Sequence, residues 1–303
     1  MRVLVTGASG LIGNALCDAL FARGDDVVGL TRDPGRARQA NPRVDWRKWE
    51  PTLERPDPAA FEGVAGVVNL VGERIDQRWT EEAKRKIMES RRQGTHNLVQ
   101  AIEALAEDKR PRVLVSQSAV GYYGDRGAEE VEESDPPGSS FDSEVTQAWE
   151  AAAHELDGTG VRLAIVRTGQ VLTPEGGMLK ELLTPFRLGV GGPLAGGKQY
   201  VAWIHLEDEV GILLWALDDG NVSGVVNGAS PNPVTNKDFS KALGRAVKRP
   251  AIAPVPGLVL DLKFGREFGQ VLRGGQRVIP KRTQELGYRF KHADLDEALA
   301  DLL

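Results

Sequence analysis

Apolar and polar residues alternate in blocks along the first part of the chain, and the blocks predict alternating strands and helices. Short apolar runs at residues 3–6, 27–31 and 113–118 have the length and composition of buried strands. Residues 11–23 carry apolar side chains at helical spacing and end at Gly24, a common C-terminal cap. Strands that alternate with helices favour a parallel sheet covered on both faces. We therefore predict an α/β fold with a Rossmann-type, doubly wound parallel sheet.

The same pattern continues to about residue 170 and then changes. Further strands are predicted at 67–71 and 161–166, near 44–49 with less definition, and long helices at 80–106 and 141–157. Beyond Arg167, glycine-rich and proline-rich stretches interrupt the rhythm. The predicted organisation is a Rossmann domain at residues 1–170, to which a strand and a helix around 200–230 return, and a smaller C-terminal lobe at 171–303 with a helical segment at 236–303.

Charge balance and cysteine content narrow the classes of partner and compartment. The 38 lysines and arginines against 43 aspartates and glutamates leave a net charge of −5, without the cationic surplus typical of nucleic-acid binding. The single cysteine, Cys17, forms no internal disulfide, which favours a cytoplasmic protein. The longest apolar run, 210–217, is far shorter than the roughly 20 residues that span a bilayer, so we expect no membrane partner. The scattered histidines predict no metal site.

A glycine-rich turn follows the first predicted strand. Gly7, Gly10 and Gly13 recur at three-residue spacing between a strand and a helix, which is the context of dinucleotide-binding loops. Glycine there allows close approach of the backbone, and the N-terminus of the helix offers free N–H groups to a pyrophosphate. The residues that we expect to bind the cofactor are Gly7, Ser9, Gly10, Leu11, Ile12 and Gly13. The simpler alternative is a tight turn that binds no ligand.

The end of the second predicted strand indicates which dinucleotide is bound. Arg32 follows Thr31 about 20 residues beyond the glycine turn, where an NAD site usually carries an acidic residue for the ribose diol. A guanidinium instead suits a 2′-phosphate, through paired charge-assisted hydrogen bonds. We therefore expect NADP(H) as the cofactor, with Thr31 and Arg32 beside its ribose. The alternative is a solvated arginine near Arg36 and Arg38.

Several motifs beyond the glycine turn are shared with a known superfamily. They are Asn69-Leu70-Val71-Gly72-Glu73, Arg78-Trp79-Thr80, Ser90-Arg91, Ser118-Ala119-Val120-Gly121-Tyr122-Tyr123-Gly124, Arg167-Thr168-Gly169, Pro185-Phe186-Arg187-Leu188-Gly189, Gly191-Gly192-Pro193-Leu194, Trp203-Ile204-His205 and Gly275-Gln276-Arg277-Val278-Ile279-Pro280. With them the chain resembles, over nearly its whole length, the extended short-chain dehydrogenase/reductase superfamily. Within it the chain looks like an atypical member of the epimerase-like branch, whose members are described as nucleoside-diphosphate-sugar epimerases.

The resemblance implies an NADP-binding Rossmann domain with a small-molecule substrate held between it and the C-terminal lobe. It places cofactor contacts at the end of the fourth strand, on the helix that follows and past the sixth strand. The residues concerned are Leu70, Val71, Gly72, Glu73, Lys86, Arg91 and Val171. The alternative for Lys86 and Arg91 is a solvated helix face, and for Val171 a place in the core. A homodimer through the two long helices, near 80–106 and 141–157, is also implied.

The catalytic residues of the superfamily are only partly present. Its reductases and epimerases use a serine and a Tyr-x-x-x-Lys pair, in which the lysine lowers the pKa of the tyrosine so that the phenol exchanges a proton with the substrate. Ser118 matches the serine, whereas Asp142 and Thr146 stand where the pair belongs. None of the four tyrosines has a lysine four positions later. The usual mechanism therefore cannot be carried over.

Other residues are candidates for catalysis or substrate binding. Tyr122 and Tyr123 follow the candidate serine and could present a hydroxyl to the substrate, although one of them normally packs in this fold. His205 could titrate near neutral pH, or it could be a structural histidine bonded to a carboxylate. Arg187 and Arg277 would suit a phosphate or carboxylate if they converge on the cleft, and are otherwise surface charges.

Two functions remain open at the level of the sequence. The first is an NADP-dependent oxidoreductase or epimerase-like enzyme on a polar small molecule, such as a nucleotide sugar. The second is an NADP-binding regulatory or scaffolding protein without turnover, a role that the cell-division label of some members suggests. The missing Tyr-x-x-x-Lys pair favours the second, while the glycine- and arginine-rich loops favour the first.

Overall fold

The computed structural model describes residues 1–303, and strands alternate with helices over the first part of the chain. The strands are β1 (Arg2–Thr6), β2 (Asp26–Thr31), β3 (Asp45–Lys48), β4 (Val64–Asn69), β5 (Val113–Ala119), β6 (Glu130–Val131), β7 (Arg162–Thr168), β8 (Gln170–Leu172), β9 (Tyr200–Val201), β10 (Trp203–His205), β11 (Gly224–Gly228), β12 (Val234–Thr235) and β13 (Arg277–Val278). The helices are α1 (Leu11–Ala22), α2 (Pro34–Ala40), α3 (Glu81–Glu103), α4 (Phe141–His154), α5 (Gly177–Arg187), α6 (Leu206–Asp218), α7 (Asn236–Ala246), α8 (Gly257–Phe264), α9 (Arg266–Arg273), α10 (Lys281–Glu285) and α11 (Leu295–Leu302).

Seven strands form one parallel sheet in the order β11-β7-β5-β4-β1-β2-β3. The strand order reverses at β1, which lies between β4 and β2. In doubly wound sheets, ligands bind beyond the carboxyl ends of the strands at such a reversal. The α/β class and the Rossmann-type sheet predicted from the sequence are thereby confirmed.

The sheet separates two layers of core, because successive side chains of a strand point to opposite faces. Val113 and Val115 of β5 pack in one layer, with residues of α1 and α6. Leu114, between them, packs in the other layer, with residues of α3 and α4. The same alternation turns Ser118, near the end of β5, toward α4, and this decides what its hydroxyl can reach.

The helix α3 begins with a cap and leaves room for a neighbouring loop. The Thr80 hydroxyl accepts the N–H of Ala83 at 3.2 Å, and glutamates in the first turn favour the positive end of the helix dipole. Gly94, in the helix interior, faces the preceding chain: a Cβ there would lie 3.3 Å from the Cβ of Pro51. The absence of a side chain at Gly94 therefore lets the segment after β3 pack against α3.

The later part of the chain divides between the sheet and a smaller lobe. β11 is the edge strand beside β7, and α6 packs against α1, so both elements lie with the sheet. A separate apolar core lies in the C-terminal lobe and includes Leu179, Phe186, Trp203 and Phe239. None of the helices combines the length and hydropathy that a bilayer crossing requires.

Candidate functional site

The turn between β1 and α1 brings its backbone close to the end of β4. Gly7 has a φ of +64°, and a Cβ on it would lie 2.7 Å from the carbonyl oxygen of Leu70. A Cβ on Gly13 would lie 2.2 Å from the carbonyl oxygen of Gly7. Side chains at either position would therefore force backbone atoms apart, which explains why the turn uses glycine.

The first turn of α1 has the properties of a pyrophosphate site. Its N-cap, Gly10, has no side chain to accept a hydrogen bond, and the first turn contains no acidic residue. The N–H groups of Leu11, Ile12 and Gly13 have no acceptor within the protein. Free N–H groups at the positive end of a helix bind phosphate oxygens. Ser9, in the same turn, is exposed, and its carbonyl accepts a hydrogen bond from Asn14. These residues fit the pyrophosphate of a dinucleotide.

Arg32 is available to a charged ligand at the end of β2. Its side chain is exposed and forms no ion pair. The neighbouring Thr31 hydroxyl accepts the N–H of Asp33 at 3.4 Å, and the Asp33 carboxylate caps α2 through the N–H of Arg36. Because the Asp33 carboxylate is bonded to the backbone of α2, it does not pair with Arg32. The guanidinium of Arg32 is therefore available to a 2′-phosphate.

The Arg32→Asp variant is expected to bind NADPH about 100-fold more weakly, because charge-assisted hydrogen bonds contribute about 1.5–3 kcal/mol and the new carboxylate repels phosphate. NADH, which lacks the 2′-phosphate, should lose much less affinity. Fluorescence titration of both dinucleotides measures the ratio. Arg92→Asp, the same change at an exposed arginine of α3, should leave both affinities unaltered. Equal losses for NADPH and NADH in Arg32→Asp would contradict the assignment.

The segment after β4 is held against β1 by hydrogen bonds. The Thr6 hydroxyl accepts the N–H groups of Leu70 at 3.0 Å and Val71 at 3.1 Å, and donates to the Asn69 side chain at 2.8 Å. Because this segment lies directly beside Gly7, Leu70 and Val71 border the glycine turn. Their contact with a cofactor stays a prediction.

Arg91 supports the same segment from inside the protein. It donates a hydrogen bond to the carbonyl of Glu73 at 2.9 Å, and its guanidinium lies 5.0 Å from the ring centroid of Trp149. A Cβ on Gly72 would lie 3.0 Å from the guanidinium carbon. Burial lowers the pKa of Arg91 to about 10, although the negative charge of Glu73 acts to raise it. Its hydrogen bonds are to the chain itself, so it shapes the loop.

Two other predicted cofactor contacts have different surroundings. Lys86 lies on the exposed side of α3, where its ammonium pairs with Glu82 at 2.8 Å. This corrects the expectation for Lys86, because the helix turns it to solvent while Arg91 points inward. Val171 lies on β8, partly buried against the core between the sheet, α1 and α6.

Ser118 belongs to a buried polar network on the α4 side of the sheet. Its hydroxyl donates to Glu150 at 2.6 Å, and Glu150 accepts two further hydrogen bonds from Arg167, both at 2.8 Å. All three residues are at most 7% exposed. Burial alone would lower the pKa of Arg167, but the hydrogen bonds and charge of Glu150 raise it above its usual range. The expectation of a catalytic Ser118 is corrected, because strand alternation directs its hydroxyl to α4.

The two tyrosines after β5 have separate roles. Tyr123 is fully buried, donates to Asn227 at 2.7 Å and accepts from Arg167 at 3.0 Å. Burial raises the pKa of Tyr123 to about 12, so the structure corrects the expectation of an acid–base role for it. Tyr122 is half-buried, with its ring centroid 3.4 Å from the guanidinium of Arg167. Of the two, Tyr122 is the one near solvent.

The predicted substrate residues do not converge. Arg187 is exposed at the end of α5, where its carbonyl accepts a hydrogen bond from Arg249 at 3.3 Å. Arg277 pairs with Glu130 at 3.0 Å and lies next to Gln276, which lines a cleft between α4 and the C-terminal lobe. Only Arg277 is therefore adjacent to the cleft, and Arg187 is corrected to an outer surface of the lobe.

His205 is the buried N-cap of α6, beside the C-terminal helix. Its Nδ1 accepts the N–H of Glu207 at 3.0 Å, so the neutral ring carries its proton on Nε2, which lies 3.3 Å from Asp301. The ring stacks on His292 at 3.8 Å between centroids. In this tautomer Nε2 carries a proton and offers no lone pair to a metal, although the two histidines and Asp301 are close together. Burial and the charge of His292 lower the pKa of His205. The residue is structural, which corrects its assignment to the substrate.

A cleft of about 420 Å³ lies between α4 and the C-terminal lobe. Trp79 and Phe141 form an aromatic wall, with ring centroids 4.9 Å apart. Asp142, in the first turn of α4, is 5% exposed, and its Oδ1 has no hydrogen-bond partner. Its Oδ2 would lie 3.0 Å from a Cβ on Gly121, so a glycine there leaves the carboxyl room. Burial raises the pKa of Asp142, although the Ser140 hydroxyl and the N–H groups of Asp142 and Ser143 act in the opposite direction.

Comparison with known protein families shows which family the chain belongs to. The family model for the NAD dependent epimerase/dehydratase family matches residues 3–228, and a domain of unknown function (DUF1731) matches residues 255–302. The chain belongs to the NAD dependent epimerase/dehydratase family. The resemblance to epimerase-like short-chain dehydrogenases/reductases is thereby confirmed.

Members of this family cover the whole chain. The bovine epimerase family protein SDR39U1 is 40% identical over 310 residues, which are 100% of each chain. The human SDR39U1 structure, determined with NADPH, has a TM-score of 0.90 and 37% identity, covering 100% of this chain and 99% of that one. A nucleoside-diphosphate sugar epimerase from Corynebacterium glutamicum has a TM-score of 0.80 and 30% identity, covering 100% of this chain and 58% of that one. The expected NADP(H) cofactor agrees with the ligand of the human structure.

Two features of the candidate site were not predicted from the sequence. The buried Ser118–Glu150–Arg167 network joins residues from β5, α4 and β7, which are far apart in the chain. The sequence indicated Asp142 only as the residue in place of the tyrosine, and the tertiary structure shows that its Oδ1 is buried without a partner. The sequence offered one signal for Asp142, namely a carboxyl at the second position of a helix that has an apolar face.

Proposed function

We propose that the protein is an NADPH-dependent oxidoreductase or epimerase-like enzyme acting on a polar, uncharged small molecule in the cleft beside Asp142. The free first turn of α1 and the unpaired Arg32 support NADPH as the cofactor. When bound, the cofactor supplies or accepts a hydride. The observation that carries the proposal is the Asp142 carboxyl, buried in the cleft with one oxygen unpartnered.

Asp142 has the chemistry to exchange a proton with a substrate oxygen. Burial raises its pKa, so the carboxyl holds its proton more tightly than an exposed aspartate does. Such a group can donate to an oxygen that becomes a hydroxyl, and take the proton back in the reverse direction. Ser118 cannot share the task, because it bonds to Glu150, eight residues and about 12 Å further along α4.

The charges around the cleft support an uncharged substrate over a nucleotide sugar. Lys84 pairs with Glu267, and Arg273, behind the cleft, pairs with Asp261 at 2.6 Å. Asp125 and Asp142 add carboxyls to the lining. A pyrophosphate would meet no free cation there, whereas the aromatic wall and the polar side chains suit a compound with several hydroxyl groups.

Two assays of the purified protein test the proposal: loss of NADPH absorbance with a panel of aldehydes, ketoses and lactones, and gain of that absorbance or formation of an epimer with NADP⁺ and UDP-glucose. We expect turnover of an uncharged carbonyl compound, and a fall of about 100-fold or more in kcat for Asp142→Asn, since general acid catalysis contributes about 10²–10⁴-fold. NADPH affinity should not change. The variant should remain folded, because asparagine avoids the cost of a buried charge when the pH rises past the raised pKa of Asp142.

Asp125→Asn provides the matched control, since it makes the same change at an exposed carboxyl of the same cleft. It should keep most of the activity. Full activity in Asp142→Asn would remove Asp142 from the mechanism, and preferential turnover of UDP-glucose would overturn the substrate class.

The second candidate is an NADPH-binding regulatory protein without turnover. It is favoured by the bonding of the Ser118 hydroxyl to Glu150 and by the absence of a Tyr-x-x-x-Lys pair. Tight NADPH binding with no change in cofactor absorbance and no epimer formed in either assay would support this candidate and reject the first.

A further inference from the structure

The outer side of the C-terminal lobe carries a basic groove, although the chain as a whole has a net charge of −5. The groove has a volume of about 740 Å³ and runs along α7 to the segment that follows it. Five of its nine lining residues are cationic: Lys237, Lys241, Arg245, Lys248 and Arg249. It is separate from the cleft of Asp142, with which it shares no residue.

Much of this positive charge is not neutralised by the protein. Arg245 binds Asp296, and Lys241 lies 3.3 Å from Asp238. Lys237, Lys248 and Arg249 are exposed and form no ion pair with a carboxylate. Arg187, whose carbonyl accepts a hydrogen bond from Arg249, adds a fourth exposed and unpaired cation at this side of the lobe.

Exposed apolar side chains border these cations. Ile252 lines the groove and is 79% exposed. Leu188 and Val190, also exposed, lie on the adjacent loop, which is joined to the segment of Ile252 by a hydrogen bond from the N–H of Ala253 to the carbonyl of Gly191 at 3.2 Å. Leu188, Val190 and Ile252 are three of the nine large apolar side chains exposed on the protein.

We propose that this basic–apolar face, formed by Lys237, Lys248, Arg249, Leu188, Val190 and Ile252, binds the surface of a membrane that contains anionic phospholipids. Cations near such a surface gain from its negative potential, and aliphatic side chains insert at the boundary of headgroups and acyl chains. Binding of this kind needs no spanning helix. It revises the expectation of no membrane partner, which considered only segments long enough to cross a bilayer.

The composition of the face favours a lipid surface over a protein. Lysine is depleted in protein interfaces, and leucine and valine are under-represented among the residues that dominate their affinity. A second copy of the chain, docked through the same face about a two-fold axis, would bring the unpaired cations of both copies together. An anionic lipid surface instead complements both the charge and the aliphatic side chains.

Sedimentation of the full chain with vesicles tests this proposal. Vesicles of equal parts phosphatidylcholine and phosphatidylglycerol should carry down the protein, and vesicles of phosphatidylcholine alone should not. The variant Lys237→Gln/Lys248→Gln/Arg249→Gln should bind about 100-fold more weakly, since each cation near the surface contributes about fivefold. Ile252→Asp should also weaken binding, and added salt should release the wild-type protein.

The matched control is Lys48→Gln/Arg92→Gln/Lys109→Gln, which removes the same charge at exposed, unpaired positions outside the lobe. It should bind the anionic vesicles like the wild type. Equal binding to both kinds of vesicle, or equal losses in the two triple variants, would overturn the proposal. Tight binding of soluble polyglutamate that is insensitive to Ile252→Asp would also overturn it, in favour of an acidic protein partner.

Discussion

Replacing Glu150 with alanine is expected to lower the free energy of unfolding by about 3–5 kcal/mol, which is the usual cost of removing one partner of a buried ion pair. Glu150 neutralises the buried Arg167 through two hydrogen bonds of 2.8 Å and accepts a third from Ser118. Without it, a guanidinium only 3% exposed would lack a counter-charge. Urea denaturation of the variant and the wild type measures the difference.

Two further variants show whether the effect arises from the buried charge. Glu150→Gln keeps the volume and one acceptor, so its loss of stability should be intermediate. Glu82→Ala, which removes the exposed partner of Lys86, should have little effect, because surface ion pairs contribute little. A Glu150→Ala variant as stable as Glu82→Ala would show that water replaces the carboxylate and that the network is not needed for folding.

The Gly13→Ala variant is expected to lose NADPH affinity by at least about 100-fold, because a methyl group 2.2 Å from the carbonyl oxygen of Gly7 must displace the turn. Displacement misdirects the N–H groups of Leu11 and Ile12, and hydrogen bonds to a charged group contribute about 1.5–3 kcal/mol each. Fluorescence titration with NADPH measures the loss.

Gly220→Ala is the control for this prediction, since a Cβ at Gly220 meets no atom within 4 Å and its φ is not in the left-handed region. That variant should bind NADPH normally. Unlike the Arg32→Asp change, Gly13→Ala should weaken NADH and NADPH alike, because both carry the pyrophosphate. A selective loss of NADPH would place the 2′-phosphate, and not the pyrophosphate, at α1.

Local signals predicted the sheet and the glycine turn well. The apolar run at 3–6 corresponds to β1, and the helical spacing at 11–23 corresponds to α1, because both elements bury a face set by a simple period. The glycines of the turn were recognisable because close backbone approach excludes side chains. Arg32 was recognisable because it follows a strand whose end lies at the cofactor edge of the sheet.

The catalytic predictions were less successful, because they depend on which way a side chain points. Ser118 matched the serine of the superfamily by position, yet strand alternation directs it to Glu150. Lys86 and Arg91 are equally charged in the sequence, but the rotation of α3 puts one in solvent and the other beneath Gly72. The spacing of Lys86 and Arg91 along α3 indicates that they lie on different sides of the helix, but it does not indicate which side faces inward.

The sequence by itself determined the α/β fold and the glycine turn, and it supplied the expectation of a 2′-phosphate at Arg32, since each rests on neighbouring residues and backbone geometry. Only the tertiary structure decided that Ser118 is bonded within the core, that Oδ1 of Asp142 is buried without a partner, and that unpaired cations gather along α7. These features join segments distant in the chain, and their chemistry depends on burial and on which charges find a partner. Neither property can be derived from the order of residues alone.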